Sequence, residues 1–518
     1  MGGGGSSRQE TIALRRYFRQ LTNDLSSYPL ALEAAMLQAR HLRFAIPLTG
    51  LALLVTACSS AGTSSDSKAN ANSAGAASGW TVEAEPDGKG AAVVNAISTA
   101  TKSVDIPIYS IVSSSGEDAT FTSYLTAAKA RGVNIRVMMN SGYGHASPTV
   151  TAAYLAKLQA APGTGTVGVN YSSNNFSITH QKSVITDAAD ASGKPLSSDN
   201  LPATARLVVS TGNFSAGYPV SNPAPWYSAR DFEMTSTNPA DIALAEQTFV
   251  SDFSCAPVNV IQPANEQATD RLIWSNGTTG PQANPSLQTP ADNYPASYGF
   301  YPQDATYPSI KGNVRQMQAD LINSAKSGDT LKIYNEEFTD TSSINLLLSA
   351  ISRGVKVQVT MTATTPSTPT KANATWDNQL KVAKAGGEIH LYTNGAPNTL
   401  YIHAKSIILV PNGATAATAA YAGSTNLGAG SMNFNRELGV NFNTSTGDEA
   451  ALNSLNNTFN DDWSRTQNVT VWNSSAQPLP PTTALKDRVP TAVAPLSAVA
   501  DTPPAKCGSV AAAAAAKK

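Results

Sequence analysis

Two long stretches of this chain run through the same order of apolar and polar positions. "AISTATKSVDIPIYSIVSSSGEDATFTSYLTAAKARGVNIRVMM", from Ala96, reads as helix, strand, helix and strand, and so does "LINSAKSGDTLKIYNEEFTDTSSINLLLSAISRGVKVQVTM", from Leu321. Each second helix runs into an Arg-Gly-Val triplet, Arg131-Gly132-Val133 and Arg353-Gly354-Val355. Glycine directly behind a helical pattern is a C-cap signal, and the alternating β-branched run that follows is a strand.

The parallel continues downstream. "GVNYSSNNFSITHQKSVIT" and "EIHLYTNGAPNTLYIHAKSIIL" each give strand, loop and strand. "LVVSTGNFSAG" matches "AAYAGSTNLGAG", "ARDFEM" matches "NRELGV", and "FVSDFS" matches "FNDDWS" at the end of a closing helix. One domain is therefore written twice, over 80–262 and 308–470, with a Pro/Gly/Asn/Tyr-rich linker at 263–307. Helices alternating with strands predict an α/β class with two tandem layered domains.

The ends do not share this pattern. Two arginines precede fourteen mostly apolar residues, Phe44 to Ala57, which suit the apolar core of a secretory signal and are too short to span a bilayer. Val55-Thr56-Ala57-Cys58 resembles a bacterial lipoprotein box, which implies lipidation of Cys58 and an exported protein of the cell envelope, either lipid-anchored to the membrane surface or secreted. Residues 1–58 are thus expected to be extension and signal, 59–79 a small polar tether, and 471–518 a disordered Pro/Ala-rich tail. With Cys58 lipidated, Cys255 and Cys507 remain as an even pair in an oxidising compartment, where they either form a disulfide or stay as free buried thiols.

Charge narrows the partners. Lys plus Arg total 35 against 36 Asp plus Glu, so no global basic field recruits nucleic acid, and any affinity for anions must be local. Among only five histidines, two stand two residues before a lysine at the start of an apolar run: His180 with Lys182, and His403 with Lys405. In extended chain these pairs share a face. An ammonium beside an imidazole lowers its basicity and repels a metal cation, so the pair suits an anion. Each pair is followed by a small-residue turn with an amide, Ser210-Thr211-Gly212-Asn213 and Gly423-Ser424-Thr425-Asn426, and then by a carboxylate, Asp231 or Glu437. Asparagine donates without adding charge, and a carboxylate on one imidazole nitrogen leaves the other available for chemistry.

His180-x-Lys182-x4-Asp187 followed by Asn213, with its second copy His403-x-Lys405 and Gly423-Ser424-x-Asn426, resembles the duplicated signature of the phospholipase D superfamily over roughly 80–465. The resemblance implies two tandem α/β/α sandwich domains related by a pseudo-twofold axis, a monomer that is an internal pseudo-dimer. It also implies one active site at their interface, with no metal and no cofactor. The implied reaction is phosphodiester cleavage through a phosphohistidine, with His180 as nucleophile and His403 as acid, Lys182, Lys405, Asn213 and Asn426 on the phosphoryl oxygens, and Asp231 and Glu437 behind the imidazoles. Asp187, Ser210 and Ser424 have supporting places. Val410 stands where the second copy should have the aspartate; Asp187 is then expected to support its strand, with Glu437 available to orient His403.

The leading expectation is hydrolysis of phospholipid head groups. The alternatives are an extracellular nuclease of the same superfamily and a degenerate surface protein that only binds phosphate. Tyr109 and Tyr334 read as equivalent strand ends that either line the pocket or, the favoured reading, pack in the core. Glu336 and Glu337 either face a head group or lie at a solvated strand end, and His390 and His145 are read as structural.

Overall fold

The computed structural model describes residues 79–113, 116–140, 148–171, 178–215, 225–253, 271–274, 314–363, 374–396, 398–433 and 435–474. The apolar stretch ending at Cys58, the tether up to residue 78, His145, Cys255, Cys507 and residues 475–518 of the Pro/Ala-rich tail lie outside these residues, whereas residues 471 and 472, read as tail, end a strand of the second sheet.

The first lobe starts with β1 (Trp80–Ala84), α1 (Ala91–Thr99), β2 (Ser103–Ile108) and a small hairpin of β3 (Val112–Ser113) and β4 (Gly116–Glu117). It continues through α2 (Ala119–Ala130), β5 (Asn134–Met139), α3 (Pro148–Ala160), β6 (Val167–Tyr171), β7 (Ser183–Thr186), β8 (Arg206–Ser210), β9 (Phe232–Ser236) and α4 (Pro239–Phe253). Its sheet runs β1-β9-β8-β7-β2-β5-β6, with β2, β5 and β6 parallel and the rest antiparallel.

The second lobe contains β10 (Leu272–Trp274), α5 (Val314–Ser324), β11 (Thr330–Tyr334), α6 (Thr341–Ser352), β12 (Lys356–Thr362), α7 (Ala374–Ala385) and β13 (Glu388–Tyr392). Then follow β14 (Ser406–Val410), β15 (Ala419–Gly423), α8 (Ala429–Asn433), β16 (Leu438–Asn443), α9 (Glu449–Trp463) and β17 (Val469–Trp472). Its sheet order, β10-β16-β15-β14-β11-β12-β13-β17, repeats the first strand for strand and adds β17 at the edge. The edge strand β10 comes from within the stretch read as linker, so part of that stretch belongs to the second sheet.

Local sequence explains the paired elements. Asp118 and Asp340 cap α2 and α6 by accepting backbone N–H groups of the first turn. Gly132 and Gly354 end the same helices at φ 90° and 87°, a left-handed conformation that glycine adopts without strain.

Each sheet has one face covered by its own helices. Val93, Phe121, Leu125, Leu155 and Val137 form the core of the first lobe, and Ile344, Leu347, Val359, Val382 and Leu391 that of the second. A third core is shared: Leu207, Phe232, Met234 and Phe249 of the first lobe pack with Tyr334, Ile402, Leu438, Val440 and Phe459 of the second. Two reciprocal ion pairs cross this shared core. Arg230 forks onto Asp462 at 2.7 and 3.1 Å, and Arg436 onto Asp252 at 3.0 and 3.2 Å, all four side chains being buried. Such bidentate pairs fix geometry as well as charge, so they set the register of one lobe on the other. Among the described residues, no helix is long and apolar enough to cross a membrane.

Candidate active site

Every paired motif lies at the same end of its sheet, and the shared core brings the two ends together. The His-x-Lys segments are not within the regular strands but form their extended lead-ins, just before β7 and β14. There the backbone bonds to the other lobe. His180 and Gln181 donate to the Arg436 carbonyl at 2.7 and 2.9 Å, and His403 and Ala404 donate to that of Arg230 at 3.1 and 2.8 Å. The residues after those arginines, Asp231 and Glu437, are therefore delivered to the opposite lobe's histidine.

His180 Nδ1 lies 3.0 and 2.9 Å from the two Glu437 oxygens, and His403 Nδ1 lies 3.0 and 3.1 Å from those of Asp231. This corrects the expectation that Glu437 orients His403: each carboxylate orients the histidine of the other lobe. Both carboxylates are gripped from behind. Thr211 donates to Asp231 at 2.6 Å, while Ser424 and Asn435 donate to Glu437 at 2.5 and 3.0 Å. Ser210, given a supporting place from sequence, instead accepts the Gly212 N–H at 3.0 Å and shapes its own turn. Thr211 is the true counterpart of Ser424.

The lysines curl back on their own motifs, Lys182 onto the His180 carbonyl at 2.6 Å and Lys405 onto that of His403. Both ammonium groups are fully buried. Asn213 and Asn426 are buried as well, and the amide oxygen of each has no hydrogen-bond partner among the described residues. An amide oxygen only accepts, so it is the NH2 group of each asparagine that can donate to an anion.

Charges of both lobes act on each other here. Burial, opposed by Glu437 and reinforced by Lys182 and Lys405, lowers His180 to about 4. Burial and the neighbouring Lys405 lower Lys182 to about 7. Burial would raise Glu437, but the imidazole of His180 and the charge of Lys182 outweigh it and hold the carboxylate below its ordinary range. An ionised Glu437 accepts the Nδ1–H of a neutral His180 as a hydrogen bond, and the Nε2 lone pair is left for a ligand.

Asp187 is not part of this cluster. It lies beyond the opposite end of β7, where its carboxylate accepts the backbone N–H groups of Thr101, Lys102 and Ser103 at 2.9, 2.7 and 3.3 Å. In the second lobe Val410 is buried in β14, and Asp329 does comparable work, accepting from Lys326 and Asn412 at 2.8 Å each. The aspartate missing from the second copy thus concerns a distant loop.

Strand register also revises the tyrosines. In the antiparallel pairings Pro107 falls opposite Ser183 in the sense that Tyr334 falls opposite Ser406, since Ile108 bridges Lys182. Tyr109 therefore corresponds to Glu336. Tyr334 is a core residue that donates to Asp462 at 2.6 Å, whereas the Tyr109 ring lies 5.0 Å from the His180 ring and 5.6 Å from the Lys182 ammonium. Glu336 lies 3.4 Å from His403 Nε2 and 3.3 Å from Lys405, and Tyr401 donates to it at 2.7 Å. Burial would raise Glu336, but His403 and Lys405 pull it far below the ordinary carboxylate range. Glu337 goes the other way, raised to about 7 by burial and by Glu336. His390 is structural: it stacks on Trp463 at 3.5 Å and pairs with Glu388.

The sequence matches the family described as cardiolipin synthase, PLD-like domain, at residues 93–218 and again at 319–463, just over half of the chain. Comparison with curated proteins returns no match. Among solved structures the chain is similar to polyphosphate kinase from Porphyromonas gingivalis, at 13% identity and TM-score 0.42, covering 70% of this chain and 47% of the kinase, so the chain spans about half that protein's length. Phosphatidylserine synthase from Haemophilus influenzae matches at 11% identity and TM-score 0.45, covering 76% of this chain and 87% of the synthase. Nuc from Salmonella typhimurium, a phospholipase D family member, matches at 20% identity and TM-score 0.24, covering 34% of this chain and 93% of its own. With both family matches enclosing a His-x-Lys motif and its amide turn, the chain belongs to the phospholipase D superfamily, as a tandem pair of cardiolipin synthase, PLD-like domains.

Proposed function

We propose that the chain cleaves the phosphodiester of phospholipids by a two-step displacement and passes the phosphatidyl group to water or to an alcohol. The observation that carries this reading is the reciprocal orientation of His180 by Glu437 and of His403 by Asp231, which makes two half-sites into one.

In the first step Nε2 of His180 attacks phosphorus. The bond to the leaving oxygen breaks, and His403 donates a proton to the departing alkoxide. Lys182, Lys405, Asn213 and Asn426 hold the equatorial oxygens as charge builds on them. In the second step His403 takes a proton from water or an alcohol, whose oxygen attacks phosphorus and releases His180. The depressed basicity of His180 supports its role as nucleophile, because it stays unprotonated at neutral pH. The apolar stretch before Cys58 extends the proposal to an exported enzyme, lipid-anchored beside its substrate.

The test is a chromogenic phosphodiester assay and a short-chain phospholipid assay with His180→Ala and His403→Ala. Each is expected to lose about 10^4-fold or more on the phospholipid, the upper range for a lost acid, base or nucleophile. Full activity of either variant would refute a site built from both lobes.

A further inference from the structure

The two half-sites differ in the side chains that face the reacting groups. Where the first lobe sets the Tyr109 ring against His180 and Lys182, the second sets the Glu336 carboxylate against His403 and Lys405. Asp231 and Glu437 are spent on the Nδ1 atoms behind the rings, so Glu336 is a third carboxylate, on the Nε2 side of His403 where chemistry is expected. Its Oε2 lies 3.3 Å from the Lys405 ammonium, which a phosphoryl oxygen would take, and 3.4 Å from His403 Nε2, which the leaving oxygen would take.

We propose that Glu336 is a specificity-determining residue: displaced from Lys405 by the entering phosphoryl group, it selects diesters whose leaving group carries an ammonium over those whose leaving group is uncharged or anionic. The inference rests on the phosphodiesterase reading above, in which His403 protonates the leaving oxygen and the leaving group therefore lies on the Glu336 side. Three observations place the carboxylate there. Its Oε1 is held by Tyr401, so it cannot leave the site altogether. Its side chain is 22% exposed beside a fully buried Lys405, so it lies on the open side of the phosphate position. Its companion Tyr401 lies with its ring 6.4 Å from that of His403, offering a cation a π face next to the carboxylate.

The first half-site complements this arrangement. Tyr109 presents an aromatic surface without charge, which suits the acylglycerol that stays on phosphorus. Phosphate entry takes Lys405 from Glu336, and an ammonium two carbons from the leaving oxygen replaces it as counter-ion. A hydroxyl in that place leaves the carboxylate uncompensated, and a second anion is repelled.

The experiment compares dihexanoyl phosphatidylethanolamine with dihexanoyl phosphatidylglycerol, both as dissolved monomers, using the full chain and its Glu336→Gln and Tyr401→Phe variants. The wild type is expected to favour the ethanolamine lipid by about tenfold or more in kcat/KM, about 1.4 kcal/mol. Glu336→Gln, which keeps the bond to Tyr401, should bring the ratio close to one, mainly by slowing the ethanolamine lipid. Tyr401→Phe should lower the ratio by less, and it keeps the test open if the glutamine variant fails to fold. A ratio that stays unchanged in the folded variants overturns the inference while leaving the phosphodiesterase reading intact. Cleavage of neither lipid by the wild type overturns both.

Discussion

Set side by side, the two half-sites share a frame and differ in their lining. In the first, His180 is backed by Glu437 and faced by the ring of Tyr109. In the second, His403 is backed by Asp231 and faced by the carboxylate of Glu336. Lysine, amide turn and carboxylate-gripping hydroxyl recur at matching places in both. Duplication supplies a near-symmetric grip, which suits the phosphorus centre of an in-line displacement. Cleavage itself requires one histidine to attack and the other to handle a proton. The difference between Tyr109 and Glu336 breaks the equivalence without disturbing the frame.

The largest effect that would sharpen this comparison comes from the crossed carboxylates. Glu437→Gln and Asp231→Asn should each slow phospholipid cleavage by roughly 10^2- to 10^4-fold, since each puts a neutral amide behind an imidazole where a charged carboxylate held its orientation and stabilised its protonated form. They should fail differently. Glu437→Gln is expected to suppress attack, and with it the burst of nitrophenolate from a p-nitrophenyl diester. Asp231→Asn is expected to spare that good leaving group and to penalise an alkoxide. Rapid-quench kinetics on the two substrate types checks this, and pairing within a lobe would exchange the two patterns.

A smaller effect follows from the electrostatics of the first half-site. Burial lowers His180 to about 4, so the proposed nucleophile is lost only as pH falls through that value, and kcat/KM should decline there and not near 6.5. Lys182, lowered to about 7 by burial and Lys405, should lose its charge as pH rises through that value, weakening the hold on phosphate. A pH profile of kcat/KM from 3.5 to 9 on an uncharged-leaving-group diester reads both limbs, and a steep acid limb near 6.5 would count against a neutral, buried His180. The smallest effect belongs to Asp187. Asp187→Asn should change kcat/KM by no more than about threefold and yet cost about 1–3 kcal/mol in denaturant unfolding, because it weakens the acceptor of three backbone N–H groups far from the reacting atoms.

Much of the fold could be read from the chain because it is written twice. Arg131-Gly132-Val133 and Arg353-Gly354-Val355 marked equivalent helix ends, and His180, Lys182, Asn213 and their counterparts marked equivalent half-sites. What the repeat hid was the crossing. Aligning two copies suggests that each motif serves its own copy, so Glu437 was expected at His403, whereas the lead-ins of β7 and β14 bond to the opposite lobe and exchange the carboxylates. Matching letters also misled where register decides. Tyr109 and Tyr334 align as tyrosines but differ by two positions in their sheets, so one faces the site and the other packs on Asp462. The resemblance gives Ser210 a supporting place, although it is the Thr211 hydroxyl that reaches Asp231. The crossing depends on contacts 257 and 172 residues apart in the chain, and the other two features on strand register and turn geometry, none of which local periodicity encodes.

The account stands most directly on which imidazole carries the phosphoryl group. The wild type and His403→Ala should be quenched during turnover of a p-nitrophenyl phosphodiester at alkaline pH, where phosphohistidine survives, and digested for peptide mass spectrometry. Phosphoryl adduct on His180 alone, accumulating further in His403→Ala, is the predicted result. Adduct on His403, or turnover with no adduct on either histidine, would contradict it.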